Sequence, residues 1–310
     1  MNEQYERISG WAPIVGHWTF EEPGTATYTG PQPQRPIPFG ICVSQVRFTE
    51  GEVGVTVRLP RAESGVAPEA SGRILLGYRS PTDEYLVAGL GGYGFAYTIT
   101  HFDPARGWRG IALAGSHDNL NPEHRYKLTV RVRGQRLMLE VDGIRVLEHL
   151  LEAPLTYGQL GLFAWGNCPV EFSEAVVTKE RGTIFVVMQF SGPYEELYTD
   201  VIRPVADQFG LRVYHAGEVF GPGIVLEDIV RGIVDAKIVI AEITPPNPNV
   251  FYELGYAHAL RKPTILLAEK GKQLPFDVSG YRCLFYENSI GGKRKVEEGL
   301  RKHLQAILHE

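Results

Sequence analysis

Cysteine is scarce in this chain: Cys42, Cys168 and Cys283 are the three among 310 residues, far apart and without metal-ligand spacing. An odd, scattered set argues against a disulfide framework and fits thiols kept reduced, so a cytoplasmic protein is expected. Long apolar runs are missing too. No stretch approaches the roughly 20 residues that a membrane-spanning helix needs. Residues 2–7 are polar with no apolar run behind them, so neither a signal peptide nor a membrane partner is expected. Excess basic charge is also absent, with 31 lysines and arginines against 36 acidic residues and a formal net charge of −5. Binding to duplex nucleic acid requires a basic face, so no such partner is expected. His101, His117 and His124 lie too loosely in sequence to suggest a metal site.

What is present is enough apolar material for two cores. Hydrophobic residues make up 44% and charged ones 22% of a chain longer than one ordinary domain. Two patterns divide it, with a hinge expected at Lys179-Glu-Arg-Gly182. Over 1–178 short alternating runs are separated by glycine and proline, among them Gly54-Val-Thr-Val-Arg-Leu59, Arg73-Ile-Leu-Leu-Gly-Tyr78, Tyr126-Lys-Leu-Thr-Val-Arg-Val132 and Arg136-Leu-Met-Leu-Glu-Val141. Period-two alternation predicts antiparallel strands with one buried face, hence a β-sandwich. Asp142-Gly143 between two such runs predicts a type I′ hairpin, whose central residues both need positive φ.

Over 183–310 the pattern is α/β. Ile184-Phe-Val-Val-Met188 is a continuous apolar run, as expected for a strand covered on both faces. A helix is predicted over 194–209, with Leu197, Val201, Val205 and Phe209 on one stripe and Gly210 ending it. Strands are predicted at 211–214, 237–241 and 264–268, and helices at 225–234, 250–260 and 296–308. The expected architecture is a flavodoxin-like parallel sheet, with its ligand outside the carboxyl ends of the strands.

Three segments fall on that edge. Met188-Gln-Phe-Ser-Gly-Pro-Tyr194 opens a helix and is either a phosphate-receiving turn or an ordinary strand-to-helix turn. Gly217-Glu-Val-Phe-Gly-Pro-Gly223 either closes over a ligand or reverses the chain, and has no dinucleotide or triphosphate glycine spacing. In Ala241-Glu-Ile-Thr-Pro-Pro-Asn-Pro-Asn249 a buried strand runs into a loop, with Asn249 expected to cap the next helix. Glu253 would then sit in the first helical turn, where the dipole favours its ionised form. A capping-box role or a solvated position are the alternatives. Gly255 and Ala257 would keep this helix thin enough for a ligand or the sheet to approach.

Several runs in 183–308 resemble a TIR-like nucleotide-binding family related to nucleoside 2-deoxyribosyltransferases. They are Phe185-Val-Val-Met-Gln-Phe190, Asp228-Ile229, Ile238-Val-Ile-Ala-Glu-Ile-Thr244, Asn247-Pro-Asn-Val-Phe-Tyr-Glu-Leu-Gly-Tyr-Ala-His-Ala-Leu260 and Lys262-Pro263. Gln189 stands where the family pattern has proline, and Glu242 where it has aspartate. The resemblance implies that Glu253 is catalytic at the N-glycosidic bond of a nucleoside or of NAD, with NAD a substrate and no cofactor. Substrate contacts are expected from Gln189, Phe190, Ser191, Tyr194, Gly221, Glu242, Thr244, Asn249 and Tyr252. It further implies an antiviral effector that depletes NAD as a homo-oligomer when activated. A non-catalytic nucleotide-binding signalling module and a nucleoside deoxyribosyltransferase are the other functions it admits.

The first part, through 126–146, Gly158-Gln-Leu-Gly-Leu-Phe-Ala-Trp165 and Val170-Glu-Phe-Ser-Glu-Ala-Val176, resembles concanavalin-A-like and laminin-G-like jelly rolls. A carbohydrate or protein ligand is implied there, in a recognition role. Trp11, Trp18, Trp108 and Trp165 are either a sugar platform or core.

Overall fold

The computed structural model describes the chain except residues 1–4, 22–23, 32–37, 63–64, 67–69, 123, 219–224, 245, 279 and 310. The chain divides into two compact units. One comprises Met1–Val132, Arg136–Leu151 and Leu155–Glu180; the other comprises Arg133–Gln135, Glu152–Pro154 and Arg181–Glu310.

The first unit is an antiparallel β-sandwich. Its eight-stranded sheet runs Ile144–Leu150, Arg136–Val141, Arg125–Arg133, Gly51–Arg58, Val170–Lys179, Thr25–Gly30, His17–Glu21, with Glu6–Arg7 paired to Val170–Lys179. The seven-stranded sheet runs Gly107–Ser116, Phe95–Asp103, Tyr85–Leu90, Ser71–Tyr78, Gly158–Trp165, Phe39–Phe48, Ala12–Val15. Alternation decides what each strand buries. Val53, Val55 and Val57 from one sheet and Ile74, Leu76, Leu160 and Leu162 from the other share one core cluster. Each such side chain contributes about 1.5–3 kcal/mol when fully buried. Arg73 and Leu75, one residue out of phase with Ile74, face the opposite side, where Leu75 joins a separate cluster with Ile41, Val43, Tyr78, Tyr85, Val87 and Phe163. The hairpin forms as predicted: Val141 pairs with Ile144, and Asp142 and Gly143 have φ of 52° and 79°.

The second unit is a five-stranded parallel sheet. In chain order its strands are Thr183–Val187, Arg212–Tyr214, Ile238–Glu242, Thr264–Glu269 and Cys283–Tyr286, and they lie side by side as second, first, third, fourth, fifth. Both faces are covered, which explains the uninterrupted apolar runs. Ile184 and Val186 pack with Leu197, Val201, Val205, Leu300 and Leu304; Phe185 and Val187 pack with Ile233, Leu254 and Ala257. The predicted helix over 194–209 is present with one irregularity. Pro193–Leu197 and Arg203–Gln208 are α-helical, and Tyr198–Ile202 between them is a π turn. Pro204 has no N–H to return to the preceding turn, which accounts for the widening there. Gly210, at φ 67°, ends the segment. The fifth strand has no counterpart among the four predicted.

Among the described residues no helix is long and apolar enough to cross a membrane. Cys42, Cys168 and Cys283 are free thiols.

Candidate active site

The carboxyl ends of the parallel strands are tied together by a small set of polar bonds. Gln189, after the first strand, donates from Nε2 to Ser191 Oγ at 2.9 Å and accepts from Asn247 Nδ2 at 3.4 Å. Asn247 lies beyond the third strand, so this bond bridges the loops that leave the first and third strands. Asn247 also caps the helix Pro248–Ala259, its Oδ1 accepting from the Asn249 N–H at 3.0 Å. The expected cap at Asn249 is therefore corrected. Asn249 lies inside the helix and is exposed, because Pro248 fits the first helical position and moves the start two residues upstream.

That shift moves Glu253 as well. It is the sixth residue of the helix, and no acidic residue occupies the first turn. The dipole's influence fades beyond that turn, and burial takes over. Desolvation alone pushes the Glu253 carboxyl from its usual 4.5 up to about 7. Burial of this half-buried group thus acts against the preference for the ionised form that a first-turn position would give. Among the described residues no hydrogen bond or ion pair reaches it. A Cβ at Gly255 would meet no protein atom within 4 Å, so the sheet does not approach the helix there. Ala257 is fully buried against the sheet cluster.

Glu242 ends the third strand and is 1% exposed. Its Oε1 accepts from the Thr244 N–H and the Tyr286 hydroxyl, both at 3.0 Å, while Oε2 is buried without a partner. Burial pushes this carboxyl up to about 7, against hydrogen bonding from Tyr286 and Thr244 that pulls it down. Thr244 is buried as well, and its Oγ1 accepts from the Glu269 N–H at 2.9 Å, bracing the third and fourth strands. Tyr194 stands near both acids; burial and the charges of Glu242 and Glu269 push its phenol up.

A cavity of about 220 Å³ opens beside these groups, lined by Tyr194, Glu196, Asp200, Glu269, Tyr286 and Lys293 among others. Of the expected substrate contacts Tyr194 lines it, whereas Gln189, Phe190, Ser191 and Tyr252 do not. One face of Phe190 is covered by His215, with ring centroids 3.6 Å apart and planes 20° apart. Tyr252 is 58% exposed on its helix. Gly221 lies outside the described residues, as does most of its loop. Tyr286 and His215 were not among the sequence candidates. Tyr286 belongs to the unpredicted fifth strand, and a lone histidine after a short strand carries no pattern.

In the sandwich the four tryptophans separate. Trp18 donates to the Val15 carbonyl at 2.9 Å and packs on Tyr28 and Phe172, while Trp11 has a buried Nε1 without a partner. Trp108 and Trp165 line a cavity of about 620 Å³. The histidines disperse: His101 meets Glu84, His124 meets Asp142, and His117 meets the Ala70 carbonyl.

No protein-family model matches the sequence, and no curated protein matches it. Solved structures match in part. A carbohydrate-binding module of Bacillus subtilis is 15% identical over 54% of this chain and 94% of its own, with a TM-score of 0.45. A β-glucanase of Bacillus licheniformis is 13% identical over 57% and 98%, at 0.40. A CMP N-glycosidase of Clostridium botulinum is 17% identical over 39% and 98%, at 0.32. None of these likenesses carries a functional argument.

Proposed function

We propose that the α/β unit cleaves the N-glycosidic bond of NAD or a related nucleotide, that Glu253 is the carboxylate facing the ribosyl carbon, and that the sandwich is the recognition part that controls it. The observation carrying this reading is the Glu253 carboxyl. It is half-buried, unpartnered among the described residues, and held near neutrality by burial, on a helix that starts at the carboxyl end of a parallel strand. A titratable group perturbed by its surroundings with no structural partner is a functional candidate. The strand order supports the position, since doubly wound sheets of this order take ligands where the first and third strands diverge. The Gln189–Asn247 bond spans that divergence. The resemblance of 247–260 to the TIR-like and deoxyribosyltransferase families points to the same residue.

In the proposed step the C1′–N bond breaks and its electron pair leaves with nicotinamide, already a good leaving group as a pyridinium. Positive charge develops on the ribosyl ring, as in glycoside hydrolysis. The Glu253 carboxylate stabilises that charge, water adds at C1′, and the proton water loses passes to Glu253 or solvent. The cavity beside Tyr286 is a poor receptor for the substrate's phosphates, because among its described lining residues Glu196, Asp200, Glu269 and Glu287 face a single cation, Lys293. In this reading the phosphates lie on the Gln189–Ser191 side.

The test is incubation of the full chain with NAD, with and without cell extract as a source of trigger, while free nicotinamide is measured. Release supports the reading. Saturable binding of NAD or ADP-ribose without release refutes cleavage and leaves a binding module. Appearance of a new nucleoside only when free base is added identifies a transferase.

A further inference from the structure

The sandwich carries a cavity of its own, independent of the N-glycosidic reading. On the seven-stranded sheet Arg73 pairs across strands with Phe163, and its guanidinium carbon lies 5.6 Å from that ring's centroid. Arg73 is 5% exposed and lines the cavity of about 620 Å³ together with Tyr93, Trp108, His117, Phe163 and Trp165. Its Nη1 donates to Thr100 Oγ1 at 3.2 Å and its Nη2 to the Gly91 carbonyl at 2.5 Å. Nε is buried with no partner, and among the described residues no carboxylate pairs with the guanidinium. Burial lowers its pKa to about 10, which leaves it a full cation at neutral pH.

A buried cation without a counter-charge is costly, and folds keep one where something else compensates it. The surrounding backbone is shaped to hold this one. Gly92 has φ of 115°, and a Cβ there would lie 1.8 Å from Arg73 Nη2, so only glycine lets the guanidinium occupy its place. Tyr93 has φ of 54°, an uncommon conformation for a bulky residue, and its ring is exposed beside the cavity. Strain of this kind gathers at ligand clamps. The walls are aromatic and buttressed: Trp108 packs on Phe163 with centroids 5.0 Å apart, and Phe39 stacks on Trp165 at 6.3 Å with planes 4° apart. Among the described residues neither the Trp108 nor the Trp165 indole N–H has a protein acceptor.

We infer that this cavity binds an acidic saccharide residue, with the sugar carboxylate on Arg73 and the apolar face of the ring against Trp108 and Trp165. Three features select that ligand. Guanidinium and carboxylate match in geometry and in unit charge. Aromatic walls receive the C–H face of a pyranose while indole N–H groups meet its hydroxyls. A phosphate would bring a second negative charge for which the described lining has no second fixed cation, and Asp118 stands among the lining residues.

The experiment titrates the full chain with glucuronic acid, N-acetylneuraminic acid, glucose and adenosine monophosphate, by calorimetry and tryptophan fluorescence. The acids bind about tenfold or more tightly than glucose, the scale of one charge-assisted contact. In Arg73→Gln, matched to wild type by melting temperature, the preference for acids disappears; Trp165→Ala weakens every sugar. Glucose binding as tightly as the acids, no binding of either acid, tighter binding of adenosine monophosphate, or an unchanged preference in folded Arg73→Gln each overturns the assignment. If Arg73→Gln does not fold, the wild-type ratio of acid to glucose affinity decides.

Discussion

Glu242 offers a test of the α/β unit that needs no substrate. The carboxyl is 1% exposed, with one oxygen hydrogen-bonded twice and the other unpartnered, and burial raises it from 4.5 to about 7. Below pH 4.5 the group is neutral in both the folded and the unfolded chain and carries no penalty. Between about 4.5 and 7 the folded state keeps a proton that the unfolded state has released, so stability falls as pH rises and levels off above 7. A shift of this size corresponds to about 3 kcal/mol as an upper bound. Glu242→Gln keeps the acceptor that meets Tyr286 and Thr244 and replaces the titrating oxygen with an amide N–H₂ that has no partner, costing about 1 kcal/mol. The variant is therefore expected to be less stable than wild type by about 1 kcal/mol near pH 4, about equal to it near pH 5, and more stable by about 1–2 kcal/mol at pH 8.5. Thermal and urea unfolding across that range measure the difference, which amounts to a few degrees in melting temperature. A variant destabilised equally at every pH would mean that Glu242 is ionised in the fold and held by a charge, contrary to the raised pKa.

Three further outcomes follow from the same structure. Nicotinamide release is expected to rise with pH through about 7 as Glu253 ionises, and a pH–rate profile already flat above pH 5 would contradict the raised value. Asn247→Ala removes both a helix cap and the link to Gln189, so a loss of about 1 kcal/mol in urea unfolding is expected, together with weaker NAD binding in calorimetry. The fragment 183–310 contains all five parallel strands and the helices on both faces of their sheet, so it is expected to melt cooperatively by itself; a gradual, featureless transition would count against independent folding.

Where a feature follows from local periodicity or turn chemistry, the sequence announces it. Arg136–Val141 alternates and is a strand over those residues, and Asp142-Gly143 turns the chain with positive φ at both positions. Ile184-Phe-Val-Val-Met188 is apolar throughout because helices cover both faces of its sheet. Features that depend on tertiary burial stayed hidden. Cys283–Tyr286 is too short to show a period and forms only because the fourth strand is there to pair with. The raised pKa of Glu253 comes from desolvation, which no spacing encodes. Arg73 reads in sequence as the polar member of an alternating strand. Its burial arises only when Phe163 and the loop at Gly91 and Gly92 close around it.

Nicotinamide release from NAD by wild type and Glu253→Gln, compared at matched melting temperature, shows whether one carboxylate carries N-glycosidic cleavage. The amide has nearly the shape of the acid, so the helix and its packing persist while the charge opposite the developing oxocarbenium is lost. Losing a preorganised partner of that kind costs about 3 kcal/mol, a hundredfold or more in rate. Wild type is expected to be active and folded Glu253→Gln slowed by at least about that factor. A Glu253→Gln variant as active as wild type would contradict that expectation.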